Sequence, residues 1–236
     1  MAEEGKEVVP WLTIRRDKRF HRYLISGTIK GFGGLMYVSY VPAMMTKNLE
    51  LGYVMTAVFV HVLPTSMQCL TVAPVCAWLD KVNVWRGWMW VRFLWSLDAL
   101  MLGLALVLPV GFSGAIVLVI LGRVLRGSAM GGSWVLWWQT GIHQIAPPGA
   151  DTSRYMSVQT MVNGLLRLSA PVMGMVILAY GSMEVAMFAA TVIMLSSVAY
   201  TWREVKRESG ERIYANTANY ERSFEKEGKQ VCEAVV

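Results

Sequence analysis

Six apolar stretches dominate this chain, at residues 23–45, 52–79, 86–108, 115–140, 155–180 and 183–202. Each is near or above the ~20 residues a helix needs to cross the hydrocarbon of a bilayer. A segment in lipid has to satisfy its own backbone amides and carbonyls, which favours a helix for each. Charged residues make up 16% of the chain, against about 25% in an ordinary soluble domain. The expected fold is an all-α integral membrane protein. A bundle of six transmembrane helices spans 23–202, between an N-terminal tail at 1–22 and a C-terminal tail at 203–236. The first 22 residues mix bases and acids over too long a stretch for the n-region of a signal peptide, and are expected to be a retained tail.

The connections set the orientation. Lys47 and Glu50 separate the first two segments, the loop PVGFSGA between the third and fourth has no charge, and Glu184 stands alone between the last two. The opposite side holds the N-terminal tail, Asp80, Lys81, Arg86, Arg92, Arg154 and a C-terminal tail with seven basic residues from Arg203 onward. Lysine and arginine gather on the cytoplasmic side, and acids count for little. Both termini are therefore expected in the cytoplasm, and the chain in the cell (inner) membrane.

The fourth and fifth segments carry the densest signals. Gly127 and Gly131 form a GxxxG, with Ser128 and Gly132 one step round, and Gly27 and Gly31 repeat the spacing in the first segment. Small residues at that spacing let helix backbones approach closely. Pro64 and Pro74 in the second segment and Pro171 in the fifth predict bends. Asp80, followed by Lys81 and with Arg86 nearby, can cap a helix end and lock neighbouring helices by charge; plain turn chemistry would also put charges there. Pro171 with Gly174 bends a helix and admits a neighbour, as a gating element or as a simple kink. Trp134, Trp137 and Trp138 are read as interface anchors or as a stacking platform.

Three of these stretches resemble the major facilitator superfamily of transporters. The second-to-third loop, Cys76-Ala77-Trp78-Leu79-Asp80-Lys81-Val82-Asn83, is similar to that family's Gly-x-x-x-Asp-Arg loop, keeping the Asp and the base after it. Arg123-Val124-Leu125-Arg126-Gly127 keeps the Arg and Gly of its Arg-x-x-Gln-Gly. Ala170-Pro171-Val172-Met173-Gly174 is similar to the Gly-Pro-x-x-Gly of its antiporters. The likeness covers residues 18–203, one six-helix half of the usual twelve-helix protein. It implies a half-size secondary transporter that moves a small solute by alternating access. It further implies a partner, either a second copy in a homodimer or a second six-helix half.

Six ionisable side chains fall inside the apolar segments: Lys30, His61, Asp98, Arg123, Arg126 and Arg167. At 1.5 Å per residue, His61, Asp98, Arg123 and Arg126 come roughly 12–17 Å from the outer end, and Lys30 and Arg167 roughly 20–22 Å. Asp98 is expected to pair with Arg123 or Arg126, because an unpaired buried charge is costly. The remaining cations have no acid in the membrane and point to a cavity that attracts an anionic solute, or to a proton-coupled site. The family resemblance puts the first and fourth helices on that cavity, which favours Lys30 and Arg123; Asp98, Arg126, Arg167 and Trp134 complete the substrate and coupling candidates.

Other chemistries lack their residues. No Gly-rich phosphate loop, compatible Ser/His/Asp set or paired carboxylates in one span can be found, so an enzyme is not expected. His21, His61 and His143 lie in separate regions and the cysteines form no CxxC, so no metal or cofactor is expected. Cys69 and Cys76 are read as buried packing residues. The expected partners are the bilayer, a solute and a second six-helix unit, not nucleic acid. The alternative reading is a non-transporting membrane scaffold, or an inactive remnant of a half-transporter.

Overall fold

The computed structural model describes residues 14, 17–79, 81–134, 136, 141–147 and 150–233, with side chains excepted at 134 and from 210 onward. The described residues are helical almost throughout. Helix α1 (Lys18–Val38) starts where the Asp17 carboxylate accepts from the amides of Arg19 and Phe20. Such a cap satisfies amides that the first turn leaves free. The helix breaks at Ser39–Tyr40, ahead of Pro42. The chain then re-enters a short helix, α2 (Val41–Ala43), which widens into a π turn at Met44–Asn48. After a left-handed residue at Glu50, α3 (Tyr53–Ala57), a π turn and α4 (Leu63–Leu79) form one rod.

Asn83 caps α5 (Val84–Val107) by accepting from the Trp85 amide. The uncharged loop reverses at Gly111, whose φ of +67° disfavours a side chain, and opens α6 (Gly111–Trp134). A short α7 (Gly141–Ile145) follows. Asp151 then caps α8 (Thr152–Tyr180), and α9 runs unbroken over Met183–Glu233. The last segment's helix thus continues well past residue 202.

Five of these stretches are long and apolar enough to cross a membrane: Tyr53–Leu79, Val84–Val107, Gly111–Ser133, Thr152–Tyr180 and Met183–Ser209. Helix α1 falls outside that set, since Lys18, Arg19, His21, Arg22 and Lys30 lower its hydropathy.

The helices pack in a definite order. The most extensive contacts join α9 to α5, α5 to α6, α4 to α6, α9 to α1 and α1 to α8. In cross-section the row runs α8, α1, α9, α5, α6, α4. Exchanging the first three long segments for the last three, α1 with α6, α4 with α8 and α5 with α9, maps this set of contacts onto itself. Exchanged partners run in opposite directions, so the halves of the bundle form an inverted repeat.

Close approach depends on small residues. A Cβ at Gly127 would lie 2.5 Å from the Pro64 carbonyl oxygen and 2.6 Å from the Met67 Cβ, and one at Gly131 3.2 Å from Thr71 Oγ1. The GxxxG of α6 is thus occupied inside the chain by α4. Likewise Gly174 of α8 lies against the Met36 carbonyl, 2.5 Å from where a Cβ would stand.

Two apolar clusters fill the ends of the bundle. One gathers Phe20, Tyr23, Leu79, Trp85, Trp88, Ile142 and Tyr155 at the end where α1 and α5 begin. The other gathers Met36, Tyr37, Met44, Phe59, Ala99, Leu102, Val119 and Met187 at the opposite end. Between them lies a belt of buried polar residues. The outer members of the row are the least covered: 11% of the apolar window on Tyr53–Leu79 and 17% of that on α8 is buried, against 44% on α5. Cys69 lies on the uncovered face of α4, exposed, so it is not the buried packing residue expected from its apolar setting, whereas Cys76, partly buried, packs against the cluster where α1 and α5 begin.

Candidate functional site

The polar belt holds a partly open cavity of about 320 Å³ lined from α1, α4, α5, α6 and α8. Its walls are Gly27, Lys30 and Gly31 of α1, Gln68 of α4, Trp88, Arg92 and Trp95 of α5, Met130 and Ser133 of α6, and Asn163 and Arg167 of α8. On the α1 wall, a Cβ at Gly31 would lie 3.1 Å from the Leu166 side chain of α8.

Asp98 sits fully buried beside this cavity. Arg123 forms an ion pair with its Oδ1, Arg126 stands 3.7 Å from Oδ2, and the Tyr37 hydroxyl donates to Oδ2 over 2.5 Å. Arg126 also donates weakly to the Tyr37 oxygen at 3.5 Å. Of the two partners expected for Asp98, Arg123 makes the close contact and Arg126 shares the charge. One carboxylate thus serves two guanidinium groups, which leaves net positive charge at this level of the bundle.

The remaining cations rest on aromatic rings. Lys30 Nζ lies 3.5 Å from the centre of the Trp95 ring, and Arg126 Cζ lies 4.9 Å from the same ring. The quadrupole of an indole face attracts a cation and is worth more when water is excluded. Arg167, the sixteenth residue of the 29 in α8, stands mid-helix and exposed, with no ion-pair partner among the described residues.

Arg92 escaped the reading of the sequence, which counted it among the charges of the basic loop. It is fully buried, donates from Nη1 to Thr201 Oγ1 and places its guanidinium 5.0 Å from the Trp88 ring. A position only eight residues into α5 looks superficial in a hydropathy profile. The signal that could have found it is Thr201, a hydroxyl at the corresponding depth of the last segment.

At the end where α1 begins, the interhelical ion pairs differ from those expected. Lys81 and Arg86 are exposed and form no ion pair among the described residues, and Asp80 lies outside them. Instead Arg19 pairs with Glu208 at 2.5 Å and Arg22 with Glu204 at 2.7 Å. The Asn83 side-chain amide and Trp85 Nε1 also donate to Glu208. One turn of α9 thereby ties together the starts of α1 and α5. The pattern was present in the sequence, as Glu204 and Glu208 at i, i+4 opposite Arg19 and Arg22 at i, i+3, but it fell inside the presumed tails.

The other candidates lie apart from the cavity. The Pro171 carbonyl accepts from the Tyr40 hydroxyl over 2.5 Å and Gly174 packs on α1, so this pair forms a close α1–α8 contact. His61 is exposed on the π turn between α3 and α4. The Trp134 side chain and all of Trp137 and Trp138 lie outside what is described. Comparison of the chain with protein-family models, curated proteins and solved structures finds no match.

Proposed function

We propose that the chain is a six-helix, major-facilitator-like half of a secondary transporter that moves a small anionic solute by alternating access. The observation that carries this reading is the cationic cavity, to which Lys30, Arg92 and Arg167 contribute without any acid among its described lining residues. Helix α1 is the sixth span on this reading. Its low hydropathy reflects Lys18, Arg19, His21 and Arg22 at its start and Lys30, whose ammonium lies against the Trp95 ring inside the bundle and not in lipid. The inverted repeat of helix contacts accords with the three-plus-three arrangement of such halves. The concentration of lysine and arginine where α1 and α5 begin supports a reading with that end, and both termini, in the cytoplasm and the chain in the inner membrane of the cell.

A second six-helix unit completes the cavity, either a copy of this chain or a separate half. Arg167 supplies the reason. A charge near the middle of a span and facing lipid costs at least about 2.5–3.5 kcal/mol. A partner lying on the sparsely covered faces of α4 and α8 would enclose it in a wet interface.

Uptake by purified protein in vesicles tests the proposal. The panel should contain small carboxylates, inorganic phosphate and nitrate, each with and without a proton gradient. Accumulation of one of them above protein-free vesicles is expected. The competing reading is a membrane scaffold. It is favoured by the continuation of α9 as one 51-residue helix beyond its span, and it predicts no flux with any member of the panel.

A further inference from the structure

The chemistry of the cavity narrows the solute. Arg92 is fully buried, yet only its Nη1 has an acceptor; Nε and Nη2 have no hydrogen-bond partner among the described residues. Those two nitrogens share one edge of the guanidinium, with N–H bonds pointing the same way. That edge grips a carboxylate side-on through two parallel hydrogen bonds. Ser133 Oγ and Trp95 Nε1 are also buried without partners among the described residues. A buried guanidinium with two nitrogens unpaired is destabilising, and so are the other buried donors left unpaired. Arg92, Trp95 and Ser133 all line the cavity, and acceptor oxygens brought within reach of these atoms would relieve them.

Charge sets the number of those oxygens. Lys30, Arg92 and Arg167 line the space, and Asp98 is already engaged by Arg123 and Arg126. A monoanion would leave most of this charge unmatched. Volume sets the size: about 320 Å³ lies at the lower end of the ~300–1,000 Å³ of small-molecule sites, more room than a bare inorganic ion fills. The Trp88 and Trp95 rings and Met130 supply apolar wall for a carbon body.

We infer that the cavity binds a short organic dicarboxylate, with one carboxylate taking the free edge of Arg92 and the other the side chain of Arg167. The inference rests on the reading of this cavity as a solute site and adds the class of solute.

The test uses the full chain in lipid nanodiscs, with calorimetry and thermal unfolding at matched ionic strength. The probes are succinate, butyrate as the monoanion of the same carbon length, and inorganic phosphate. Succinate should bind and raise the unfolding temperature, with an affinity at least about tenfold above that of butyrate, a difference of ~1.4 kcal/mol. Arg92→Lys keeps the charge but loses the bidentate edge and should weaken succinate about tenfold, by ~1.4 kcal/mol. Arg167→Gln changes an exposed residue, so the variant should fold even if Arg92→Lys does not, and it should weaken succinate by a similar factor.

Equal affinity for succinate and butyrate would overturn the inference. So would phosphate in preference to succinate, no succinate binding at all, or succinate binding unchanged by Arg167→Gln. Vesicle uptake separates this inference from the transport reading. Succinate bound with the stated pattern but not transported would refute transport alone. Uptake of another solute without succinate binding would refute the dicarboxylate alone.

Discussion

Lys30 and Arg126 converge on one aromatic ring, with the Lys30 ammonium 3.5 Å and the Arg126 guanidinium carbon 4.9 Å from the centre of Trp95. Helices α1 and α6, which are not adjacent in the row, thus bring like charges to a single indole of α5, and the ring offsets their repulsion. Trp95→Ala should cost about 3–5 kcal/mol from lost packing alone, with the cation–π loss on top. Trp95→Phe keeps a π face and should cost clearly less. Denaturant unfolding in a mild detergent compares the two; equal losses would mean that the ring acts only as volume.

Asp98 is the buried acid to which Arg123 and Arg126 both turn. Asp98→Asn should destabilise the bundle by about 3–5 kcal/mol, because it strands buried guanidinium charge. Adding Arg123→Gln should recover part of that loss. Strict additivity in the double-mutant cycle would contradict direct coupling.

Two glycines distinguish internal packing from a free surface. A Cβ at Gly127 would meet the Pro64 backbone and the Met67 Cβ, neither of which can swing aside, whereas one at Gly164 meets nothing within 4 Å. Gly127→Ala should cost about 1–3 kcal/mol through overpacking. Gly164→Ala should be neutral or slightly stabilising, since alanine is the better helix former. The melting temperatures of the two variants, measured side by side, give the comparison.

Glu208 accepts from Arg19, Asn83 and Trp85. Glu208→Ala should cost about 1–3 kcal/mol, chiefly by leaving the buried Trp85 N–H without its acceptor. Exchanging the charges in the double variant Arg19→Glu with Glu208→Arg should regain only the surface-pair share, about 0.2–1 kcal/mol. Hydrogen exchange at the starts of α1 and α5 should rise together in Glu208→Ala, because one turn of α9 holds both.

Hydropathy made some helical segments legible to within a few residues, as 86–108 against Val84–Val107 and 155–180 against Thr152–Tyr180 show, but not the break of the first segment after Val38 or the continuation of α9 past residue 202. The lone acid among buried cations made the pairing of Asp98 with α6 legible as well, because one residue type had one kind of partner. What stayed hidden depends on which way a side chain points. Arg92 and Arg86 lie six residues apart near the start of one helix, yet one is buried and the other exposed, and mean hydropathy cannot separate them. Gly127 and Gly131 announced a close contact without saying with which helix, and the partner is α4 of the same chain. Cys69 was misjudged for the same reason, since an apolar segment on the edge of the row leaves one of its faces uncovered.

The central claim is that a second six-helix unit closes the cavity across α4 and α8. Cys69 is exposed on α4 and Leu168 is 73% exposed beside Arg167 on α8. A bifunctional thiol crosslinker applied in native membranes to a Leu168→Cys variant reports on both faces, and mass measurement of the product identifies the partner. A crosslinked species of twice the chain mass, or of this chain with another helical protein, is the predicted result. Protein that remains monomeric in membranes and in nanodiscs, uncrosslinked at both positions, would contradict the account.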